Sequence, residues 1–457
     1  MSDNPEISSG NGRSIVIIGN GIAGVTCARH IRKRDSEAQI TLISGETEHF
    51  FSRTALMYLY MGHMKYENIK PYEDFFWGKN RLQLVHDWVT AIDVEQKTLQ
   101  LQQHDPVSYD ILILATGSVP NKFGWPGRDL KGVTGLYSYQ DLEAMEASTV
   151  SCQRAVVVGG GLIGIEMAEM LQSREIPVTF LVREENFWGN VLPKEEAQLV
   201  NRHVLEHHID LKLVHELKEI LDDGTGKVGG VITSEGEQID CQFVGLAVGV
   251  SPNISLLKDT LIEKNRGILV DEYFATNIPD IYAIGDCAEF KTPVLNRRSI
   301  EQTWYTGRMH GETLAYSLTR EPVPYHPAAW FNSAKFLDIE YQTYGIVPAQ
   351  WGEELQSLYW EHPNGKICFR AVFEAETNVL IGANAFGLRL RHDFFDNAFR
   401  KGSTIEEVLD NLDKADFNGE FFDKSYQQDI VRTYNEQFDA SLQVKKKKRG
   451  LFSFLRS

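Results

Sequence analysis

The chain has 457 residues, 42% of them hydrophobic and 24% charged, and carries a formal net charge of −17. That length exceeds what one hydrophobic core supports and predicts about three domains. The acidic balance argues against nucleic acid as a ligand, and no apolar run of about 18 or more residues is present to span a membrane as a helix. The polar opening, MSDNPEISSGNG, lacks an apolar signal core and reads as a disordered lead-in.

The first predicted element is a β-branched strand over Ser14 to Ile18, followed by Gly19, Gly21 and Gly24 in a GxGxxG pattern with Ile22 and Ala23 between, and then a helical run. This order suits a pyrophosphate: the first glycine permits a tight turn, the second a close backbone approach, and the third close packing of helix on strand. The helix N-terminus then offers free N–H groups to an anion. A second strand, Gln39 to Ile43, leads to Glu46, 22 residues past Gly24, which is either an acceptor for ribose hydroxyls or a solvated loop acid. Ile111 to Leu114 is a further apolar strand, and Ala115, Thr116 and Gly117 after it are small enough for backbone to approach a cofactor.

A second complete pattern begins at strand Ala155 to Val158, with Gly159, Gly161 and Gly164 enclosing Leu162 and Ile163. The next strand ends near Val182 and is followed by Arg183 and Glu184. The carboxylate would favour a free 2′-hydroxyl and the arginine a 2′-phosphate. Two fingerprints about 140 residues apart predict an α/β chain with two Rossmann-like dinucleotide-binding domains. Further on, strand Ile281 to Ile284 delivers Gly285 and Asp286, a carboxylate that read alone caps a following helix. The proline-rich REPVPYHPAAW marks a boundary, after which ICFRAVFEA and VLIGANAFG predict hairpin strands, and TIEEVLDNL and YQQDIVRTYNEQF helices, of a smaller α+β domain.

Five ordered motifs, GNGIAG, ILILATGSVP, GGGLIGIE, GLAVGVSPN and IPDIYAIGDCAEF, carry a resemblance over residues 14 to 435. The chain resembles the FAD-dependent pyridine nucleotide oxidoreductases, among them the ferredoxin, rubredoxin and nitrite reductase flavin modules. The resemblance implies that the first glycine motif holds FAD and the second NAD(P)H. It also implies that Ala115 to Gly117, Gly249, Gly285 and Asp286 contact cofactor, that Arg53 lies near FAD, and that Glu166 projects toward the flavin and nicotinamide rings. Many relatives pair that glutamate with a lysine, whereas Met57 and Tyr58 stand in its place here.

Cys27, Cys152, Cys241, Cys287 and Cys368 are scattered without a CxxC pair and read as isolated reduced thiols. No redox cysteine occupies HFFSRTALMYLYMGHMKYENIK, where disulfide reductases of this group carry a pair. No His/Cys cluster is read as having metal-ligand spacing, so no metal is expected. The expected organisation is an FAD domain over 14–120 and 250–325, an inserted NAD(P) domain over 121–249, an α+β interface domain over 326–440, and a basic tail over 441–457.

The resulting expectation is a cytoplasmic oxidoreductase that passes electrons from a nicotinamide dinucleotide through FAD to a small redox protein or a quinone, without a thiol relay; a homodimer is a further expectation. The alternative is a redox sensor resembling apoptosis-inducing factor, whose output is a conformational change. The tail, KKKKRGLFSFLRS, sets five consecutive basic residues before Leu451, Phe452, Phe454 and Leu455. It reads as a disordered extension, a peripheral contact with the inner membrane face, or a segment for a partner groove. The membrane reading has a direct test, because each basic residue near an anionic surface contributes roughly 1 kcal/mol, screened by salt. The full-length chain is expected to sediment with anionic liposomes at low salt and to stay in solution when truncated after Val444; equal behaviour of the two forms would exclude this reading.

Overall fold

The computed structural model describes residues 12–417 and 426–443, so the tail from Val444 onward lies outside the described residues. The chain forms two compact units, one built from residues up to Arg183 with Val214–Pro327, the other from Glu184–Leu213 with residues from Ala328 onward.

The first unit contains two parallel sheets. In one, the strands run in the order Ile281–Ala283, Ile111–Leu114, Ser14–Ile18, Gln39–Ile43 and Leu82–Val85. Ile111–Leu114 is buried along its whole length, and Ser14–Ile18 and Gln39–Ile43 are buried except at their first residues. Such continuous apolar runs are what a parallel sheet covered on both faces demands. Ile281–Ala283 reaches this sheet from far along the chain, beside Ile111–Leu114. The other parallel sheet includes Val178–Val182, Ala155–Val158, Phe243–Leu246 and Val133–Thr134 in that order. The chain crosses between the two sheets through Ser118–Pro120 and Val250–Pro252, which pair antiparallel.

One local expectation is corrected. The strand ends at Ala283, and Asp286 sits within a single 3-10 turn, Gly285–Cys287, followed not by an α-helix but by a short strand, Ala288–Phe290. Gly285 has a φ of +75°, outside helical space, and Ala288–Phe290 is drawn into parallel pairing with Ile268–Val270. The helix comes later, at Trp304–Thr319. It packs on Ile22–Arg34 so closely that a Cβ on Gly311 would lie 2.5 Å from the Ala23 carbonyl oxygen. From this helix the fully buried His310 accepts the Gly285 N–H on Nδ1 at 3.1 Å.

In the second unit, five antiparallel strands run in the order Phe331–Phe336, Ile339–Gly345, Leu380–Phe386, Cys368–Glu374 and Leu355–Glu361. The expected hairpin corresponds to Cys368–Glu374 and Leu380–Phe386, and the expected helices to Ile405–Asp410 and Tyr426–Phe438. The helix Lys194–Glu206 is fixed to this sheet by a buried charge network. Arg370 Nε donates to Glu196 at 3.1 Å and its Nη2 to Glu195 at 2.7 Å, while Asn384 donates to the other Glu196 oxygen at 3.0 Å. Burial pushes the Glu196 carboxyl up to about 7 against the pull of Arg370.

His203 and His207 stand one helical turn apart, and the fold brings Asp338, from a turn far along the chain, within 4.8 Å of their ring nitrogens.

Burial pushes His310 down to about 3, so its ring stays neutral in the fold. An unfolded histidine takes up a proton near pH 6.5. The stabilising contribution is therefore fully present above pH 6.5 and is lost as pH falls from 6.5 toward 3, amounting to about 2 kcal/mol by pH 5. His310→Asn keeps an acceptor near the Nδ1 position but removes the titrating ring. Its denaturation free energy, measured at pH 7 and pH 5, should fall less than that of the wild type by about this amount; equal falls would contradict the assignment.

Candidate dinucleotide-binding sites

Each GxGxxG turn in the first unit assigns a different steric task to each glycine. Gly19 has a φ of +109° and a Cβ there would sit 2.1 Å from the Ala115 carbonyl oxygen; Gly159 has a φ of +108° and its Cβ would sit 2.4 Å from the Ala247 oxygen. At Gly24 a Cβ would strike the Gly19 oxygen at 2.1 Å, and at Gly164 it would strike the Gly159 oxygen at 2.4 Å and Phe180 at 2.8 Å. Gly21 and Gly161 differ, since a Cβ on either meets no protein atom within 4 Å. Each is the N-cap residue of a helix, Ile22–Arg34 or Leu162–Gln172, and neither helix has a side-chain cap. The space over these two glycines is open, with Ile22, Ala23, Leu162 and Ile163 forming the first turns. That arrangement fits the pyrophosphate of a dinucleotide.

Around the first turn, the expected residues join into one network. Arg53 grips Glu46 with two hydrogen bonds, of 2.6 and 2.8 Å, and Glu46 also accepts the Tyr139 N–H at 2.9 Å. Glu46 is therefore a held acceptor and not a solvated loop acid, and Arg53 is not a surface residue. Arg53 also donates to the Tyr137 carbonyl and lies over the Tyr137 ring at 4.4 Å, a cation–π contact. The Tyr137 hydroxyl in turn donates to Asp286 at 3.1 Å and accepts the Ser118 N–H at 3.0 Å. Ser118 Oγ donates to the same Asp286 oxygen at 3.1 Å and accepts from Gln302 at 2.8 Å. Burial raises the Asp286 carboxyl, while Ser118, Tyr137 and Arg53 oppose the shift.

The small-residue turn is locked by Thr116 Oγ1, which donates to the Asn253 carbonyl at 2.7 Å, and by the Asn253 N–H, which donates to Gly117 at 2.9 Å. Gly117 has a φ of +69°, and a Cβ there would press on the Tyr137 hydroxyl at 3.0 Å. Ser118, Tyr137 and Gln302 were not found from sequence. Ser118 directly follows the Ala115–Gly117 turn and was within reach of the motif; Tyr137 and Gln302 sit outside any motif and carried no signal.

Around the second turn, Glu166 lies half-buried on the helix Leu162–Gln172. The short helix Leu56–Tyr60, which packs on it, carries the buried Met57 and the half-buried Tyr58. Arg174 ties the two helices, donating to the Tyr60 carbonyl at 3.1 and 2.6 Å with its guanidinium 3.5 Å from the Tyr60 ring centre. Gly249, with a φ of +86°, accepts the Asn121 N–H at 3.0 Å beside the paired crossing strands. Arg183, exposed, and Glu184, half-buried, directly follow the strand Val178–Val182.

The cysteines are all free thiols, and Cys152 alone is not fully buried. Burial raises each of them, which keeps the thiols protonated and unreactive.

The pyridine nucleotide-disulphide oxidoreductase family matches residues 13–311. The chain is 32% identical over 281 residues to a nitrite reductase [NAD(P)H] of Bacillus subtilis, covering 61% of this chain and 35% of that protein, so it spans about a third of that relative's length. It is 28% identical over 337 residues to the 5,5'-dehydrodivanillate O-demethylase ferredoxin reductase subunit of a Sphingobium species, covering 73% of this chain and 82% of the relative. The crystal structure of a ferredoxin reductase from Rhodopseudomonas palustris superposes with a TM-score of 0.75 at 23% identity, covering 82% of this chain and 91% of that one. The chain belongs to the pyridine nucleotide-disulphide oxidoreductase family, whose members are FAD-dependent and bind NAD(P)H.

Proposed function

We propose that the chain is an FAD-dependent NAD(P)H oxidoreductase that delivers electrons to a small redox protein. The observation that supports this most directly is the duplication of one steric design, with open space at Gly21 and again at Gly161, in a family that uses two dinucleotides. The relative covered over most of its length is named a ferredoxin reductase subunit.

In this reading Gly19, Gly21 and Gly24 with the N–H groups of Ile22 and Ala23 receive the FAD pyrophosphate. Glu46, oriented by its two hydrogen bonds from Arg53, accepts from the adenosine ribose. Asp286, aimed by Ser118 and Tyr137, accepts a ribityl hydroxyl, and the Ala115–Gly117 turn lets backbone approach the cofactor. Gly159, Gly161 and Gly164 with Leu162 and Ile163 receive the nicotinamide dinucleotide, Gly249 lines the passage between the two halves, and Glu166 borders the reacting rings. The bound cofactors supply hydride transfer from nicotinamide to flavin and electron release from flavin. The protein's part is to hold two rings in contact and exclude water, a task that needs no thiol and suits the protonated cysteines.

A quinone acceptor rests on the basic tail alone, and a sensor role on the replacement of the lysine by Met57 and Tyr58. Rapid mixing with NADH and NADPH separates these readings. Flavin reduction faster than turnover with added ferredoxin supports the reductase, whereas slow reduction to a long-lived charge-transfer species would overturn it in favour of the sensor.

Because a Cβ at position 21 or 161 meets no protein atom within 4 Å, both substitutions should fold. Gly21→Val should lose FAD, read as the loss of yellow colour at equal protein concentration. Gly161→Val should keep FAD, remain reducible by dithionite and lose reduction by NAD(P)H. Stoichiometric flavin in the first variant or normal NADH reduction in the second would refute the division of the two sites.

Coenzyme choice is assigned to Glu184 with a preference for NADH. Glu184→Ala should weaken NADH use by about 1.5 to 3 kcal/mol in kcat/KM, the value of a charged hydrogen bond. Arg183→Ala should change little; a selective loss of NADPH use in that variant would reverse the assignment.

A further inference from the structure

In the second unit, His203 lies on the helix Lys194–Glu206 and His207 caps its C-terminus one turn on. The His203 side chain is 1% exposed; its Nε2 is in contact with Asp338 Oδ1, and its Nδ1 makes no hydrogen bond. A buried imidazole nitrogen without a hydrogen-bond partner is costly. His207 Nδ1 sits 2.9 Å from the backbone carbonyl of His203. A carbonyl only accepts, so Nδ1 carries a proton, and the other ring nitrogen, Nε2, faces the same Asp338 oxygen at 3.3 Å.

We propose that His203 Nε2, His207 Nε2 and an Asp338 carboxylate oxygen form a binding site for one divalent metal ion of the zinc class. Two imidazoles and one carboxylate are a borderline ligand set, suited to zinc and its transition-metal neighbours and not to calcium or magnesium. The three ligand atoms already lie within 4.8 Å of one another, and small side-chain rotations bring them to the separation of about 3.3 Å set by tetrahedral bonds of about 2.0–2.1 Å.

The surroundings supply the outer partners that metal-bound histidines use. The His203 carbonyl holds the His207 ring, and Glu206 Oε2, 3.8 Å from His203 Nδ1, is placed to take that proton. Lys366 sits 3.6 Å from Asp338 Oδ2 and so leaves Oδ1 to the ion. Asp338 stands at the turn between Phe331–Phe336 and Ile339–Gly345, next to Leu337 with a φ of 56°, so the ion would tie this hairpin tip to the end of the helix. His207 and Asp338 are partly exposed, which leaves the fourth position to water.

The test uses the full-length, flavin-loaded protein stripped with chelator. Zinc chloride is titrated by calorimetry, and cobalt(II) is added separately as a visible-absorption probe of coordination. One zinc per chain is expected, with tetrahedral cobalt bands. His207→Ala and Asp338→Asn should each weaken zinc binding at least about tenfold, the effect seen even when an outer partner is lost, with flavin content and circular dichroism unchanged. Lys366→Met, outside the ligand set, should bind zinc at least as tightly as the wild type. No stoichiometric zinc uptake by the wild type, or wild-type uptake by His207→Ala and Asp338→Asn, would overturn the proposal.

Discussion

The first unit depends on one steric constraint: at Gly19 and at Gly159 the turn leaving a parallel strand runs within about 2 Å of a neighbouring carbonyl oxygen, measured from where a Cβ would be. No side chain fits, and the positive φ at both positions is open at low cost only to glycine. That contact sets how each helix leaves its sheet. Gly24 and Gly164 then bring the helices down onto the same turns, so the helix N-termini are fixed at the ends of the central strands. In open parallel sheets, ligands bind at that edge. The cradle at Gly21 or Gly161 is a consequence: once two glycines are consumed by protein contacts, the third is left facing empty space.

The second organising feature of the first unit is Tyr137, which lies on a loop and belongs to no motif. Its ring receives the Arg53 guanidinium, its carbonyl accepts from Arg53, and its hydroxyl joins Ser118 to Asp286. Two carboxylates far apart in sequence, Glu46 and Asp286, are thereby held by a shared set of donors. Each carboxylate is taken partly out of water, and each is compensated by hydrogen bonds from neighbours of fixed position, which is the condition for pre-organised acceptors. His310 supports the same region from behind through the Gly285 N–H.

The second unit is built on other principles. Its sheet is antiparallel, and the fully buried Arg370 is balanced by Glu195 and Glu196, with Asn384 donating to Glu196. Removing one partner would leave an unpaired charge in the interior, so such a network specifies how the helix Lys194–Glu206 meets the sheet more than it adds stability. The same docking sets His203 and His207 beside Asp338.

The sequence by itself determined the local elements whose physics is local. Apolar runs such as Ile111–Leu114 and Ala155–Val158 are parallel strands because nothing else buries both faces, and the GxGxxG spacing fixes turn, cradle and helix contact within a few residues. Hairpin strands Cys368–Glu374 and Leu380–Phe386 were legible for the same reason. What the tertiary structure alone decided are the contacts between residues distant in the chain. The strand pairing of Ala288–Phe290 with Ile268–Val270 overrode the helix expected after Asp286. Glu46 became an ion-pair partner of Arg53, and Tyr137, Ser118 and Gln302 entered the site. His203, His207 and Asp338 met only because one helix lies against one hairpin tip. A side chain's hydrogen-bond partner is set by the angle and distance between whole elements, which depend on packing summed over the core and leave no periodicity in the sequence to read.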